Sequence, residues 1–455
     1  MYFSKQSKIT KEENQKDFDE GKTLYGLPRE VIYCKKCVIS NQRPNSAIEY
    51  KHLKSTKKRT INFNEGICDA CHVAEKKHKE INWKDREEAL MSLCDKFRSK
   101  DGSHDCIVPG SGGKDSFYAS YILKYKFKMN PLTITWAPLL PTEWGRANMI
   151  SWTDAGMDNL LYRPNRRVQR LLTRISIENL LHPFQSFMFG QKMLAPKLAS
   201  KLGIGLIFYG ENQAEYGNDA KELKTHLMAD HFYSADGIDK KNIFIGGLSV
   251  NTLQKDFNLC DNDLSLYLPI NKKLISSGIS VAFLSHFVKW HPQSNYYFAK
   301  EKSDFVTAPE RLQGTYTKYI STDDKMEYFN FYTLGIKFGI GWTSNIASHE
   351  IRDGDLSRTE GINLVKKYDH EYPSRYIQDF LDFVSLDKKK YEKKILDNFE
   401  FPKIDKEYFD NLADTHRSPH IWKINDINEW ELRHSIFENE EQEISNELKN
   451  WKGNK

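Results

Sequence analysis

Ser111-Gly112-Gly113-Lys114-Asp115-Ser116 is the stretch of this 455-residue sequence whose residue types and spacing point most directly to chemistry. It follows a short apolar run, Cys106-Ile107-Val108, and precedes a helical pattern from Phe117 to Tyr125. Adjacent glycines at such a turn let successive N–H groups close on an anion, and the helix start adds partial positive charge. Ser111 and Ser116 add hydroxyl donors, and Lys114 adds a cation for phosphate oxygens. Asp115 would repel a phosphate unless a divalent cation lay between them, which suits it to Mg²⁺. The loop therefore reads as a phosphate cradle. The bland alternative is an ordinary glycine-rich turn.

A second group is Cys34-x-x-Cys37 with Cys68-x-x-Cys71. Two such knuckles about 30 residues apart suit a tetrahedral Zn²⁺ held by four thiolates, with no position left for catalysis. A redox pair or an iron–sulfur cluster is the alternative. Of the remaining cysteines, Cys94 precedes the strand–helix region and Cys106 falls in an apolar strand, where a core role is expected. Cys260 lacks a glycine-flanked nucleophile elbow, and position 2 is Tyr, so neither form of glutaminase nucleophile is present.

These groups need elements to position them. From Asp105 the pattern alternates between strands (106–108, 132–136, 159–162, 205–209) and helices (117–125, 148–155, 167–181, 191–202). Such alternation predicts an α/β fold with a doubly wound parallel sheet. Its ligands would lie at strand carboxyl ends, where the loop after the first strand and the Gly210-Glu211 turn after the fourth share a crevice. Beyond about 230 the pattern is less regular, with helices near Glu350 and over 359–368. Ser357 and Glu360 have the spacing of a capping box. The expected division is a polar extension (1–30), a zinc ribbon (31–80), an ATP-binding α/β domain (81–270), a helical substrate-binding region (271–385) and a charged appendage (386–455).

The net charge is a modest +5, and Lys51, Lys54, Lys57, Lys58 and Arg59 form a basic run between the cysteine pairs. That run reads as a solvated loop rather than a nucleic-acid surface. No apolar run has the length of a membrane span, and the first residues lack a secretory pattern. The expectation is a cytoplasmic protein without membrane or nucleic-acid partners.

The loop lacks Walker A spacing. It resembles the PP-loop of the ATP pyrophosphatases (HUP-like), a likeness that implies cleavage of ATP to AMP and pyrophosphate. Further segments resemble the WbpG/PseA group of bacterial N-acetyl sugar amidotransferases over roughly residues 31–375. They are Tyr33-Cys34-x-x-Cys37-Val38, Gly66-Ile67-Cys68-x-Ala70-Cys71, Leu172-Thr173-Arg174, Pro183-Phe184-Gln185, Gly210-Glu211-Asn212-Gln213-Ala214-Glu215-Tyr216-Gly217 and Ser348-His349-Glu350-Ile351-Arg352. The resemblance implies ATP- and ammonia-dependent conversion of a sugar acetamido group to an acetamidino group, in O-antigen or flagellar glycan synthesis. It also implies ammonia from a separate glutaminase subunit and its channel partner.

On this reading Ser111, Gly112, Gly113, Lys114, Asp115, Ser116 and Gly210 bind ATP and Mg²⁺. Lys114, Asp115, Glu211, Glu215 and Arg174 are the catalytic candidates. Gln185, Asn212, His349, Glu350 and Arg352 are the candidate sugar binders, and Cys34, Cys37, Cys68 and Cys71 hold structural zinc. The N-terminal extension, the basic insertion and the tail depart from the family pattern and leave the sugar open. A tRNA-modifying, thiolase-like enzyme is the alternative, disfavoured by the lack of a cysteine pair in the catalytic domain.

Overall fold

The structure, a computed structural model, describes residues 6–271, 278–386 and 402–436. Its centre is a five-stranded sheet of β1 (Cys106–Pro109), β2 (Pro131–Trp136), β3 (Asp158–Tyr162), β4 (Leu206–Tyr209) and β5 (Ser280–Phe283). All neighbours are parallel, in the order β3-β2-β1-β4-β5. The chain winds outward from β1 in both directions, so the order reverses between β1 and β4.

The short strands alternate between two cores. Ile107, Ile207 and Val281 face one cluster, with Leu194 and Ala199 from the helix Gln185–Leu202. Cys106, Val108, Leu206, Phe208 and Ala282 face the other, with Leu90, Ala119 and Leu123. Cys106 is fully buried there, as its strand predicted. A sheet covered on both faces by helices reads as near-continuous apolar runs, as β1 and β4 do, whereas the edge strand β3 is largely exposed.

β5 lies outside the expected α/β segment, so the domain extends past residue 270. Its four residues follow an excursion of about seventy residues after β4, whose described residues form short turns, a two-residue hairpin and small helices. No helix-length spacing announces it. The helix 185–202 begins six residues earlier than its pattern suggested, because Gly190 reads as a break. A Cβ at Gly190 would fall 2.1 Å from the Trp136 ring, so this glycine permits helix–strand contact.

Two other boundaries change. The polar extension is not loosely held. Helix Lys11–Asp19 has a Thr10/Glu13 capping box, and its Asn14 donates to the Trp422 carbonyl. The expected break at 386 is not one either. Helix Lys406–Asp414 returns to the core, where Phe409 packs on Phe329 and Phe380. Among the described residues no helix is long and apolar enough to cross a membrane.

Candidate functional site

The loop after β1 opens into helix Lys114–Tyr121, with Gly113 as its N-cap and no capping side chain. Its first-turn amides therefore have no intrahelical acceptor. Gly112 sits at φ +81°, and a Cβ there would meet the Asn148 carbonyl at 2.9 Å. Only glycine fits this approach of loop to helix Glu143–Asp154. The Lys114 ammonium pairs with Asp115 at 2.5 Å, and Asn295 donates to the other Asp115 oxygen.

Two adjoining cavities meet at this loop. A slot of about 280 Å³ is walled by Ser111, Gly113, Lys114, Asp115, Ser116, Gly210 and Glu211, as the crevice argument predicted for both turns. A larger cavity of about 480 Å³ runs from Lys114, Asp115 and Glu211 to helices Met326–Phe338 and Trp342–Asp353. Lys114, Asp115, Glu211 and Ser321 stand on both walls.

Glu211 is the carboxyl most altered by this setting among the proposed catalytic residues. Burial, then the nearby Asp115 charge, pushes its pKa up to about 7, against a hydrogen bond from Tyr216. A carboxyl there is poised for proton transfer near neutral pH. Tyr216 in turn meets the His349 ring edge-on at 4.9 Å. Burial holds His349 well below the usual histidine range, and Asp353 lies 3.4 Å from its Nε2. Glu350 accepts from Tyr316 at 2.5 Å and Tyr319 at 3.3 Å. His349 and Glu350 both line the larger cavity.

The other candidates lie elsewhere. Arg174 is fully buried, paired to Glu178 at 2.7 Å and donating to the carbonyls of Val384 and Pro402. It anchors the C-terminal region and is no α-phosphate or sugar ligand. Gln185 donates to the Glu49 carbonyl and accepts from the Gly246 amide. Asn212 caps the turn at Ala214 and contacts Ser285. Both amides serve backbone, not a ligand. Glu215 is held by Lys77 at 2.6 Å in a buried pair, the ion-pair alternative for that residue. Arg352 turns to the cysteines, 3.9 Å from Cys37 Sγ.

Several wall residues escaped the sequence reading. Asp323, Asp324 and Glu327 stand across the slot from the loop. Burial and mutual repulsion push Asp324 up to about 7 and Glu327 up to about 8. Asp324 also caps Leu139, Leu140 and Met326 amides. The adjacent acids in Ser321-Thr322-Asp323-Asp324 were the available signal, but nothing in the sequence links them to a loop two hundred residues earlier. These three carboxyls line the slot together with Asp115.

The cysteines form a separate centre. Cys34, Cys37, Cys68 and Cys71 are buried, with all four Sγ atoms within 4.8 Å of one another. The sulfurs of Cys34 and Cys71 are 3.8 Å apart, and those of Cys37 and Cys68 are 3.7 Å apart. A tetrahedral zinc with bonds of about 2.3 Å has sulfur edges of about 3.8 Å, so the cluster fits zinc. The Lys36, Cys37 and Cys68 amides point at Cys34 Sγ. Arg358 grips the Cys34 and Cys37 carbonyls, which fastens the ribbon to helix Arg358–Tyr368.

Residues 313–436 match the family model of the C-terminal domain of WbpG-like lipopolysaccharide-biosynthesis proteins. Of the segments that resemble the WbpG/PseA group in sequence, Ser348–Arg352 lies within this match and those between Tyr33 and Gly217 lie before it. The match contains the His349-Glu350 segment and crosses the expected break at 386. The uncharacterized protein MJ1599 of Methanocaldococcus jannaschii is 38% identical over 91 residues, 18% of this chain. The chain spans 29% of that relative's length.

Proposed function

We propose that the protein is an ATP-dependent amidotransferase of the PP-loop type that converts an acetamido group of a sugar to an acetamidino group. The shared wall of the two cavities carries this reading: Lys114, Asp115 and Glu211 border both a phosphate-sized slot and a sugar-sized cavity. The WbpG-like domain supports a role in surface polysaccharide synthesis.

On this reading the triphosphate lies along Ser111–Ser116 in the slot, with the α-phosphorus toward the cavity. The acetamido oxygen attacks that phosphorus and pyrophosphate leaves, giving an O-adenylated imidate. Ammonia adds to the imidate carbon, and the Glu211 carboxylate takes the excess proton. The C–O bond then breaks, AMP departs with the oxygen, and the amidine remains. Lys114 neutralises charge on the phosphates throughout. Asp115 would hold Mg²⁺, which supplies further charge neutralisation when bound. Zinc in the ribbon is structural, and ammonia comes from a partner glutaminase or from solution.

The test is incubation with ATP, Mg²⁺, ammonium and a panel of di-N-acetylated sugar acids and UDP-diacetamido-uronic acids. The expected product is about 1 Da lighter than its sugar, from replacement of O by NH, with one AMP released per product. AMP release that depends on tRNA, with every sugar inert, would replace this reading by the tRNA-modifying one.

A further inference from the structure

In the basic run between the cysteine pairs Lys51, Lys54, Lys57 and Arg59 are exposed, as a solvated loop requires, but Lys58 is half-buried. Lys58 joins Glu49, His52, His182 and Lys337 on the wall of the larger cavity. These residues come from three distant segments: the ribbon insertion, the turn after helix Arg166–Leu180, and helix Met326–Phe338.

By residue type, Glu49, His52 and His182 are a metal-binding trio, with donor atoms within 4.8 Å of one another. Their neighbours argue for the opposite charge. Lys58 Nζ lies 2.7 Å from His52 Nε2, so that nitrogen accepts and Nδ1 carries the ring proton. Nδ1 then turns its N–H toward Glu49 Oε2, 3.7 Å away and beyond hydrogen-bond distance, and offers no lone pair to a metal. A dication placed there would also be repelled by both lysines.

The lysines themselves are short of negative charge. Lys337 is 6% exposed and donates to the Leu180 carbonyl at 3.2 Å. Among the described residues, neither ammonium has a carboxylate oxygen within 4.0 Å. Burial, with Lys58 adding to it, pushes Lys337 down to about 7, and burial pushes Lys58 down to about 8. The Glu49 carboxylate acts on both lysines without offsetting their burial, and it also answers His52, His182 and Lys192. Much of the remaining wall is apolar, including Phe331, Ile340, Trp342 and Ile346. A buried and a half-buried cation in such a cavity favour an anion from the ligand.

We propose that Lys58 and Lys337, with the His52 and His182 rings beside them, form a subsite for the carboxylate or phosphate of the sugar whose acetamido group reaches the loop. The identity of the ligand as a sugar rests on the amidotransferase reading; the charge it carries rests on the two lysines. The preferred substrates are therefore sugar acids or sugar nucleotides, and neutral N-acetylated sugars are excluded by the ammoniums they would leave unmatched.

Titration calorimetry on the full chain separates the sources of the anion. N-acetylneuraminate is compared with its methyl ester, and UDP-N-acetylglucosamine with N-acetylglucosamine. At least one anion should bind about tenfold or more tightly than its neutral counterpart, as a charge-assisted hydrogen bond implies. Lys58→Met and Lys337→Met should each erase that preference, while ATP affinity in the same samples is retained. Equal affinity within both pairs, absence of binding by all four probes, or a preference that survives both variants overturns the subsite. So does a second zinc ion per chain that is lost with His52→Ala. AMP release driven by a neutral sugar overturns the subsite alone; AMP release driven only by tRNA overturns the amidotransferase reading.

Discussion

The four-cysteine centre and the loop crevice treat buried charge in opposite ways. In the ribbon every sulfur faces another sulfur or a donor, and Arg352 and Arg358 lock the knuckles to the C-terminal helices. The donors close on themselves and leave no room for a substrate. In the crevice, Glu211, Asp324 and Glu327 sit with their protons held too tightly, and Lys58 and Lys337 with theirs held too loosely. Those groups are strained by desolvation until a ligand arrives. The first region spends its interactions on the fold, whereas the second holds them in reserve for binding.

The largest expected effect tests the closed half. Cys34→Ser should lose the zinc and unfold the ribbon, since a structural zinc site contributes on the order of 10 kcal/mol. Metal analysis and thermal melting check this, and an unchanged melt would remove the contrast. Arg174→Ala should come next. It strands Glu178 in the core and should cost about 3–5 kcal/mol in urea unfolding, without a specific defect in ATP affinity.

In the open half, Lys114→Ala should lower AMP formation by about 10²–10³-fold with an unchanged melting curve. A stability loss comparable to that of Arg174→Ala would mean that Lys114 belongs to the fold after all. The smallest effect is on pH. As a base, Glu211 works deprotonated, so activity should rise with pH through about 7. The Tyr216 hydrogen bond lowers that pKa, so Tyr216→Phe should move the inflection upward. A rate that is flat between about pH 6 and about pH 8 would remove Glu211 from proton transfer.

The sequence made local chemistry legible and long-range chemistry illegible. The Ser111–Ser116 turn and the Ser357/Glu360 capping box lie within a few residues of their partners, the two cysteine pairs are marked by their own x-x spacing, and the structure forms each as a unit. β1 to β4 were readable because apolar runs and glycine stops mark them. β5 was not, because four residues after a long irregular stretch carry no period. Arg174, Gln185 and Asn212 misled because a polar side chain on a helix or turn looks the same whether it serves a ligand or the backbone. Only the fold reveals that Glu178 and the Val384 carbonyl await Arg174. Lys58 misled in the other direction, since a basic run gives no sign that one member points inward.

The contact between helix Lys11–Asp19 and the strand Trp422–Ile424 has a consequence for how the chain is made. Asn14 and the Trp422 carbonyl are 408 positions apart. A ribosome delivers the helix long before the surface it rests on, and a short polar helix alone in water is unstable. The segment must stay unstructured through most of synthesis and dock as a late closing step. Such distant closure is slow and leaves apolar surface uncovered meanwhile. Translation that stalls before residue 422 would release a chain whose early segment has nowhere to bind.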